Sequence, residues 1–281
     1  MKVDIVLLNY KGYTDTSACI KSLRKITYKD YTIIVVDNNS CDGSDERLKE
    51  ENPDCVILQA GQNKGFSAGN NIGIRYALEN GADYVMMLNN DTEVAADFLD
   101  IMVSRANEET VVTPCIYYYS NPHEVWYAAG RINRRRCTVY NRDENKSEYV
   151  DYASGCCLLM PRKVIERVGM WAEEYFMYYE DMDYSLRILE NKFNIFYEKN
   201  AKVYHKVGRT AGVNSKLAIY YNVRNRFYVI NKFDFSTPCF IFCLLSRVIR
   251  QLHGIIFHTN EKVTMQAIHD YFSGKMGKAE L

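Results

Sequence analysis

Short apolar runs rich in β-branched residues alternate with helix-length segments through the first 120 or so residues of this chain. Val3–Tyr10, Thr32–Asn39, Cys55–Ala60, Tyr84–Asp91 and Val111–Tyr119 each read as a strand. The segments between them read as helices: Thr14–Ile26, with Ile20, Leu23 and Ile26 on one face, the polar Ser44–Glu51, a stretch opening at Asn63 and running to about Asn80, and Asp97–Ala106. On the third helix Gly69, Ile72, Gly73, Tyr76 and Ala77 follow the i, i+3, i+4, i+7, i+8 rule. A face that small is suited to lying close against a sheet. Strands alternating with helices of this length predict βαβ units and a mostly parallel central sheet flanked by helices, an α/β fold.

Beyond about residue 120 the pattern loosens. Tyr117 to Tyr152 is polar and aromatic, carries Arg134-Arg-Arg136, and shows no long periodic run. Order returns with the apolar strand Ala153–Met160, ended by Pro161. An amphipathic helix follows Glu180-Asp181, with Leu186, Leu189 and Phe193 on it. Asn194–Tyr197 and Lys202–Tyr204 are short strand candidates, and a long helix runs from about Ser215 to Phe233 before a tail.

Composition narrows the field. Lys plus Arg and Asp plus Glu balance at 35 each, so no overall field points to nucleic acid. The nine cysteines include no C-x-x-C pair, which fits free thiols in a reducing cytoplasm better than a disulfide or zinc framework. Val3 to Leu8 is too short for a secretory h-region. The 23 tyrosines crowd at Tyr117–Tyr119, Tyr175–Tyr179 and Tyr220-Tyr221. A flat apolar face with a polar tip suits sugar and nucleobase sites, and equally a half-buried core.

Candidate chemistry lies where the apolar strands run into acids. Thr32-Ile-Ile-Val-Val-Asp37-Asn-Asn-Ser40 and Tyr84-Val-Met-Met-Leu-Asn-Asn-Asp91 share that design. Ligands of open α/β sheets settle outside the carboxyl ends of such strands. Glu180-Asp181, at a helix start, supplies what a proton-abstracting enzyme needs. Together these acids imply a transferase acting on a nucleotide-activated substrate. Taken singly, Asp37 and Asp91 are also good turn residues. The segment Asn63–Gly73 makes a glycine-rich helix start that can point free N–H groups at an anion. It has neither the dinucleotide fingerprint nor the P-loop Lys-Ser/Thr.

The ordered set Leu8-Asn-Tyr10, Val36-Asp-Asn-Asn-Ser40, Asn63-x-Gly-Phe-x-x-Gly-x-Asn-x-Gly73, Leu88-Asn-Asn-Asp-Thr92, Gly155, Tyr179-Glu-Asp181, His205 and Arg224-Asn225 resembles the family 2 glycosyltransferases. Within them it is most similar to the bacterial rhamnosyltransferase-like branch. The resemblance spans roughly residues 3 to 230. It implies the GT-A fold, an inverting mechanism, a nucleoside-diphosphate sugar donor, a glycan or lipid-linked acceptor, and a divalent metal, Mn2+ or Mg2+. It also implies a catalytic domain over 1–233, with a nucleotide-binding half (1–119) and an acceptor-binding half (120–233), and a helical C-terminal tail at 234–281.

Carried over residue by residue, the resemblance makes Asp181 the catalytic base with Glu180 beside it. It puts Asp91 and His205 on the metal. Asn9, Tyr10, Asp37, Asn63, Gly65, Asn70, Asn89, Asn90, Arg224 and Asn225 fall to the nucleotide sugar, and Gly155 to the acceptor side. Two positions depart from the family pattern. Asn89 stands where an Asp-x-Asp motif has its first acid, which removes a charge from the metal shell. Gly169-Met-Trp-Ala-Glu173 replaces the usual Gly-x-Phe-Asp-Glu, so position 172 receives no acceptor role. Two other functions share the α/β plan: a nucleotide-sugar-binding protein without transfer activity, and a sugar nucleotidyltransferase. The second would call for a Gly-x-Gly-Thr-Arg loop near the start, which this chain lacks.

The tail admits two readings. Pro238–Phe257 is rich in Phe, Ile, Leu and Cys, yet it contains Arg247, Arg250, Gln251 and His253. That makes a poor membrane span. It suits a helix lying on an anionic bilayer, which would set the protein at the inner face of the cell membrane. It also suits a helix packed on the catalytic domain or on a second copy in a homodimer. Arg134–Arg136 belongs to the same question, as a lipid-facing patch or a solvated loop.

Overall fold

A computed structural model describes residues 1–207, 215–246 and 261–280. In chain order the first half runs β1 (Val3–Asn9), α1 (Tyr13–Leu23), β2 (Tyr31–Asp37), α2 (Ser44–Glu51), β3 (Val56–Gln59), α3 (Phe66–Glu79), β4 (Tyr84–Asn89), β5 (Thr92–Val94), α4 (Phe98–Arg105) and β6 (Thr110–Tyr118). The second half adds β7 (Asn121–Tyr127), β8 (Arg131–Asn133), β9 (Thr138–Tyr140), β10 (Glu148–Val150), β11 (Cys157–Pro161), α5 (Arg162–Val168), a 3-10 turn at Glu173–Tyr175, α6 (Glu180–Glu190), β12 (Asn194–His205) and α7 (Lys216–Lys232). Residues 237–246 are helical, and a terminal helix spans Glu261–Phe272.

The main sheet has ten strands, with the order β10-β12-β6-β11-β4-β1-β2-β3, β5 on β12 and β7 on β6. Strands β3, β2, β1 and β4 are parallel neighbours, and β12 is parallel to β6. Since β11 runs antiparallel to both β4 and β6, these six strands all point one way. The sheet is therefore mixed but mostly parallel. It runs without a break through both halves of the chain. Its centre is fully buried, as Val3, Ile5, Val6 and Leu7 on β1 and Val85 and Met86 on β4 show. Strands covered on both faces read as continuous apolar runs, which is why the first half was legible. A side chain at Gly69 or Gly73 would meet Leu8 or Val6 at 2.4 Å, so α3 lies flush on the sheet through its glycine face.

The loose stretch after residue 120 is not a loop. It holds β7, β8, β9 and β10, three of them only three residues long. The two short strands expected at 194–197 and 202–204 are one strand, β12, broken in register between Glu198 and Lys202 where it pairs with β6. At that bulge Glu198 is completely buried and is held by Arg105 at 2.8 Å and Ser147 at 2.9 Å.

The described part of the tail packs on the body through Cys239 and Cys243, one helical turn apart, and leaves Ile241, Phe242 and Leu245 exposed. Arg247, Arg250, Gln251, His253 and the remainder of the expected helix lie outside the described residues. No described helix is long and apolar enough to cross a membrane. All nine cysteines are free.

Candidate active site

The register of the parallel strands sets Asn9 beside Asp37 and Leu8 beside Asn89, so the three polar strand ends are level at one sheet edge. A cavity of about 360 Å³ opens there, lined by Tyr10 to Asp15, Asp42, Asn90 and Asp91. That is the size of a small-ligand site, at the edge where α/β folds bind ligands.

Beneath it runs a buried polar chain. Asn90 Nδ2 donates to Thr16 Oγ1 at 2.8 Å, Thr16 donates to Asn9 Oδ1 at 2.8 Å, and Asn9 Nδ2 donates to Asp37 Oδ2 at 2.7 Å. Ser40 adds its N–H to Asp37 Oδ1 at 2.9 Å and its hydroxyl to Oδ2 at 2.6 Å. Asn9 and Asp37 are 0% and 1% exposed. Both had been expected on the nucleotide. Here their polar atoms satisfy one another and brace the floor of the cavity, while Tyr10 and Asn90 line it. Thr16, Ser40 and Ser44 were not singled out in the sequence. The hydroxyls spaced four apart after Asp37 were the available signal.

Asp91 follows the turn that closes β4, and β5 carries the chain straight onto β12, where Thr92 is registered with His205. That pairing brings two distant residues together: His205 Nε2 lies 3.2 Å from Asp91 Oδ1. The contact lacks hydrogen-bond geometry, so Asp91 Oδ1 is buried without a hydrogen-bond partner; the other ring nitrogen, His205 Nδ1, is likewise buried and unpartnered. Trp126 packs edge-on against the imidazole, 4.7 Å between ring centres. Two neighbouring ligands about 2.1 Å from an octahedral ion are roughly 3 Å apart. The pair thus fits a divalent cation. No cluster of three or more His, Cys, Asp or Glu suited to a metal occurs among the described residues. Two side chains alone do not make an all-protein metal centre. Asn89 sits partly exposed at the strand end, its carbonyl taken by the Thr92 hydroxyl at 2.7 Å.

Asp181 lies in the first turn of α6. Its Oδ2 accepts from the Tyr152 hydroxyl at 2.5 Å and from Gly155 N–H at 3.3 Å, and its Oδ1 accepts from Met182 N–H at 2.8 Å. Burial pushes its carboxyl above the ordinary range, and those donors pull it back. Glu180 is driven well above the ordinary range by burial first and by Asp181 second, and its Oε2 has no hydrogen-bond partner. Two adjacent acids whose environments separate them in this way suit one neutral and one ionised carboxyl. A methyl on Gly155 would make only ordinary contact with Asp181, at 3.4 Å. The Gly155 N–H donates to Asp181 whatever its side chain. Tyr152 was missed in the sequence, for nothing local marks a tyrosine 29 positions before an acid as its partner.

The turn leading into α6 is strained, with Phe176, Tyr178 and Tyr179 all at positive φ, 67°, 65° and 72°. It is held from α7. Asn225 Nδ2 faces the carbonyls of Tyr175, Met177 and Tyr178 at 3.1, 2.8 and 2.9 Å, and Arg224 donates to Tyr175 O at 3.0 Å and to Gly277 O at 2.8 Å. Arg224 and Asn225 are 1% and 0% exposed. In this arrangement the guanidinium and the amide, expected at the diphosphate, clamp the turn from inside the protein. The glycine loop has the same target. Asn63 Oδ1 accepts from Gly65 N–H and Asn38, Phe66 N–H donates to Phe176 O, and a Cβ on Gly65, at φ 102°, would sit 2.3 Å from that oxygen. Asn70 turns back to Phe66 O at 2.9 Å. At the start of α3 the Phe66 N–H thus donates to a carbonyl.

The family model for glycosyl transferase family 2 matches residues 4–169, more than half of the 281-residue chain. The chain belongs to that family. It is 28% identical over 238 residues to the low-salt glycan biosynthesis hexosyltransferase Agl10 of Haloferax volcanii, covering 82% of this chain and 75% of that one. It is 26% identical over 213 residues to the dTDP-rhamnosyl transferase RfbF of Shigella flexneri, 71% of each, which supports the rhamnosyltransferase-like branch. Among solved structures it resembles GalNAc-T7 with UDP, GalNAc and Mn2+, with a TM-score of 0.63 and 16% identity over 73% of this chain and 44% of that one. It also resembles the mannosyltransferase PcManGT of Pyrobaculum calidifontis in complex with GDP-Man and Mn2+, at 0.61 and 14%, over 100% of this chain and 76% of that one. At those identities the structures speak to the fold, which is GT-A.

Proposed function

We propose that this chain transfers a sugar, with inversion, from a UDP- or dTDP-type donor to a hydroxyl of a glycan or lipid-linked acceptor in cell-surface polysaccharide synthesis. The observation that carries this reading is a join between two centres. Gly155 N–H binds Asp181, and the next residue's carbonyl, Cys156 O, accepts from Asn89 N–H at 2.8 Å, two positions before Asp91. One peptide step therefore links the proposed base to the end of the strand that leads to Asp91, which supports reading the two as one site.

In the proposed reaction Asp181 takes the proton from the acceptor hydroxyl as that oxygen attacks the anomeric carbon. Tyr10 and Asn90 bound the nucleotide space. Asp91 and His205 would hold a divalent ion, which when bound would offset the charge gathering on the leaving diphosphate. A positioned base is worth about 10²–10⁴ in rate. A screen of UDP-, dTDP- and GDP-sugars for metal-dependent release of the nucleoside diphosphate tests the proposal. A donor that binds but is never cleaved, even in excess manganese, would favour the binding-protein alternative.

The acceptor side gains support from the tail. Ile241, Phe242 and Leu245 are exposed, and the Arg136 guanidinium stands 5.6 Å from the Phe242 ring centre. Apolar residues rimmed by arginine suit an anionic bilayer, which would raise the local concentration of a lipid-linked acceptor. Sedimentation with anionic vesicles at low salt, weakened by Arg136→Glu, is the expected result. Protein left in the supernatant would remove the membrane from the proposal.

A further inference from the structure

The two oxygens of Asp181 differ in what they already hold. Oδ2 accepts two bonds from outside its own helix, the Tyr152 hydroxyl at 2.5 Å and Gly155 N–H at 3.3 Å, whereas Oδ1 accepts only the N–H of the next residue. Tyr152 is itself held in place. Its carbonyl accepts from the Tyr127 hydroxyl at 2.7 Å, its ring lies edge-on to Tyr127 at 6.0 Å, and Gly130 gives it room, since a Cβ there would sit 2.7 Å from the ring. At 8% exposure it has little surface to offer a substrate.

We infer that Tyr152 is the positioning residue of the general base: with Gly155 N–H it fixes Oδ2 of Asp181 and leaves Oδ1 to receive the acceptor's proton. This rests on the proposed role of Asp181 as base. The step balances as follows. The acceptor O–H proton passes to Oδ1, the acceptor oxygen bonds to the anomeric carbon, and the anomeric C–O bond breaks with its electron pair leaving on the diphosphate. An orienter behind a base is the arrangement by which catalytic triads hold theirs.

The titratable groups that interact with Asp181 include Glu180 on its own helix and Tyr152 and Tyr127 from the facing segments, with Asp183 acting on Glu180 and Asp151 on Tyr127. The leading influences that favour the ionised form of Asp181 are hydrogen bonds, with that of Tyr152 first. Burial, then Asp181 itself, pushes the Tyr152 phenol well above its ordinary range, and it remains a donor at physiological pH. A bond to the charged form favours that form; losing it raises the acid's pKa by about one unit.

The test needs no substrate at first. Carboxyl carbons of 13C-labelled aspartate are titrated by NMR in the wild type and in Tyr152→Phe, with Asp181→Asn assigning the resonance. The Asp181 midpoint should rise by about one pH unit in Tyr152→Phe, and fall when Tyr152 is replaced by a more acidic fluorotyrosine, which keeps the ring and the fold. In single-turnover assays with the donor found by the screen, the acid limb should move by the same amount with donor KM within about twofold. An unmoved midpoint, or an unmoved limb with a raised acceptor KM, overturns the role of Tyr152. If Asp181→Asn keeps its turnover, the base assignment fails instead, and the inference falls with it.

Discussion

Asp37 ends one parallel strand and Asp91 follows another at the same sheet edge, and both are buried, at 1% and 7% exposure. Asp37 is saturated: Asn9, Ser40 and the Ser40 N–H fill its two oxygens within 2.9 Å, with Ser44 further off. Asp91 is left wanting, its Oδ1 turned to a histidine without a hydrogen bond. The same contrast separates the polar clamps from the helix start. Arg224 and Asn225 satisfy carbonyls, while Glu180 keeps an unpaired buried oxygen. A buried polar group with no unmet valence belongs to the scaffold; one with valence to spare at a cavity marks where ligand chemistry is expected.

The strongest way to break that distinction is at Asp181. Asp181→Asn should cut turnover about 100-fold or more, the loss expected of a general base. Donor affinity should stay within a few-fold, since the base faces the acceptor. Single-turnover rates together with calorimetric donor binding would separate the two. Near-normal turnover would move the base elsewhere, with Glu180 the first suspect.

Asp91 comes next. Asp91→Ala should weaken manganese-dependent binding of UDP or dTDP at least about tenfold, because even second-shell changes cost metal sites 10–100-fold. Its cost to stability should be small, as no hydrogen bond is lost at Oδ1. Asn89→Asp should hold or tighten the same binding, since a hard ion gains more from a carboxylate than from an amide. Calorimetry with and without metal decides. Equal, metal-independent binding in both variants would remove Asp91 from the site.

How far these roles could be read in advance followed from the range of the interactions. Strand ends, acids and the flush face of α3 are local patterns, and they were visible. Most of β7 is exposed and β8 and β9 are three residues each, too little for periodicity to register. The bulge at Glu198 hid β12 by placing a buried acid where a strand should show an apolar residue. Tyr152 and the Arg224-Asn225 clamp act across 29 and about 50 positions. In sequence, an arginine that binds carbonyls looks the same as one that binds phosphate.

Asp37 offers the converse test. Asp37→Asn replaces an acceptor of Asn9, Ser40 and Ser44 with an amide whose own N–H groups find donors already there. Stability should fall by about 1–3 kcal/mol, the cost of leaving buried polar groups unmatched. Urea midpoints measure that loss, and nucleotide affinity should decline less than stability does. Affinity lost with the midpoint unchanged would make Asp37 a ligand contact after all.

The smallest effect should come from Glu180, where the two classes of acid meet. Its carboxyl is raised by burial, so folding favours its protonated form. Whatever stability that gives is fully present below its unfolded pKa and is lost as pH rises through the folded value. Glu180→Gln removes the ionisation while keeping the shape. The variant should therefore gain on the wild type as pH climbs out of the carboxylate range, seen as a urea midpoint difference that widens from pH 5 to 8. A difference that stays flat would mean that Glu180 ionises in the folded protein as readily as in water, and its buried oxygen would then have a partner in solution that the fold alone does not supply.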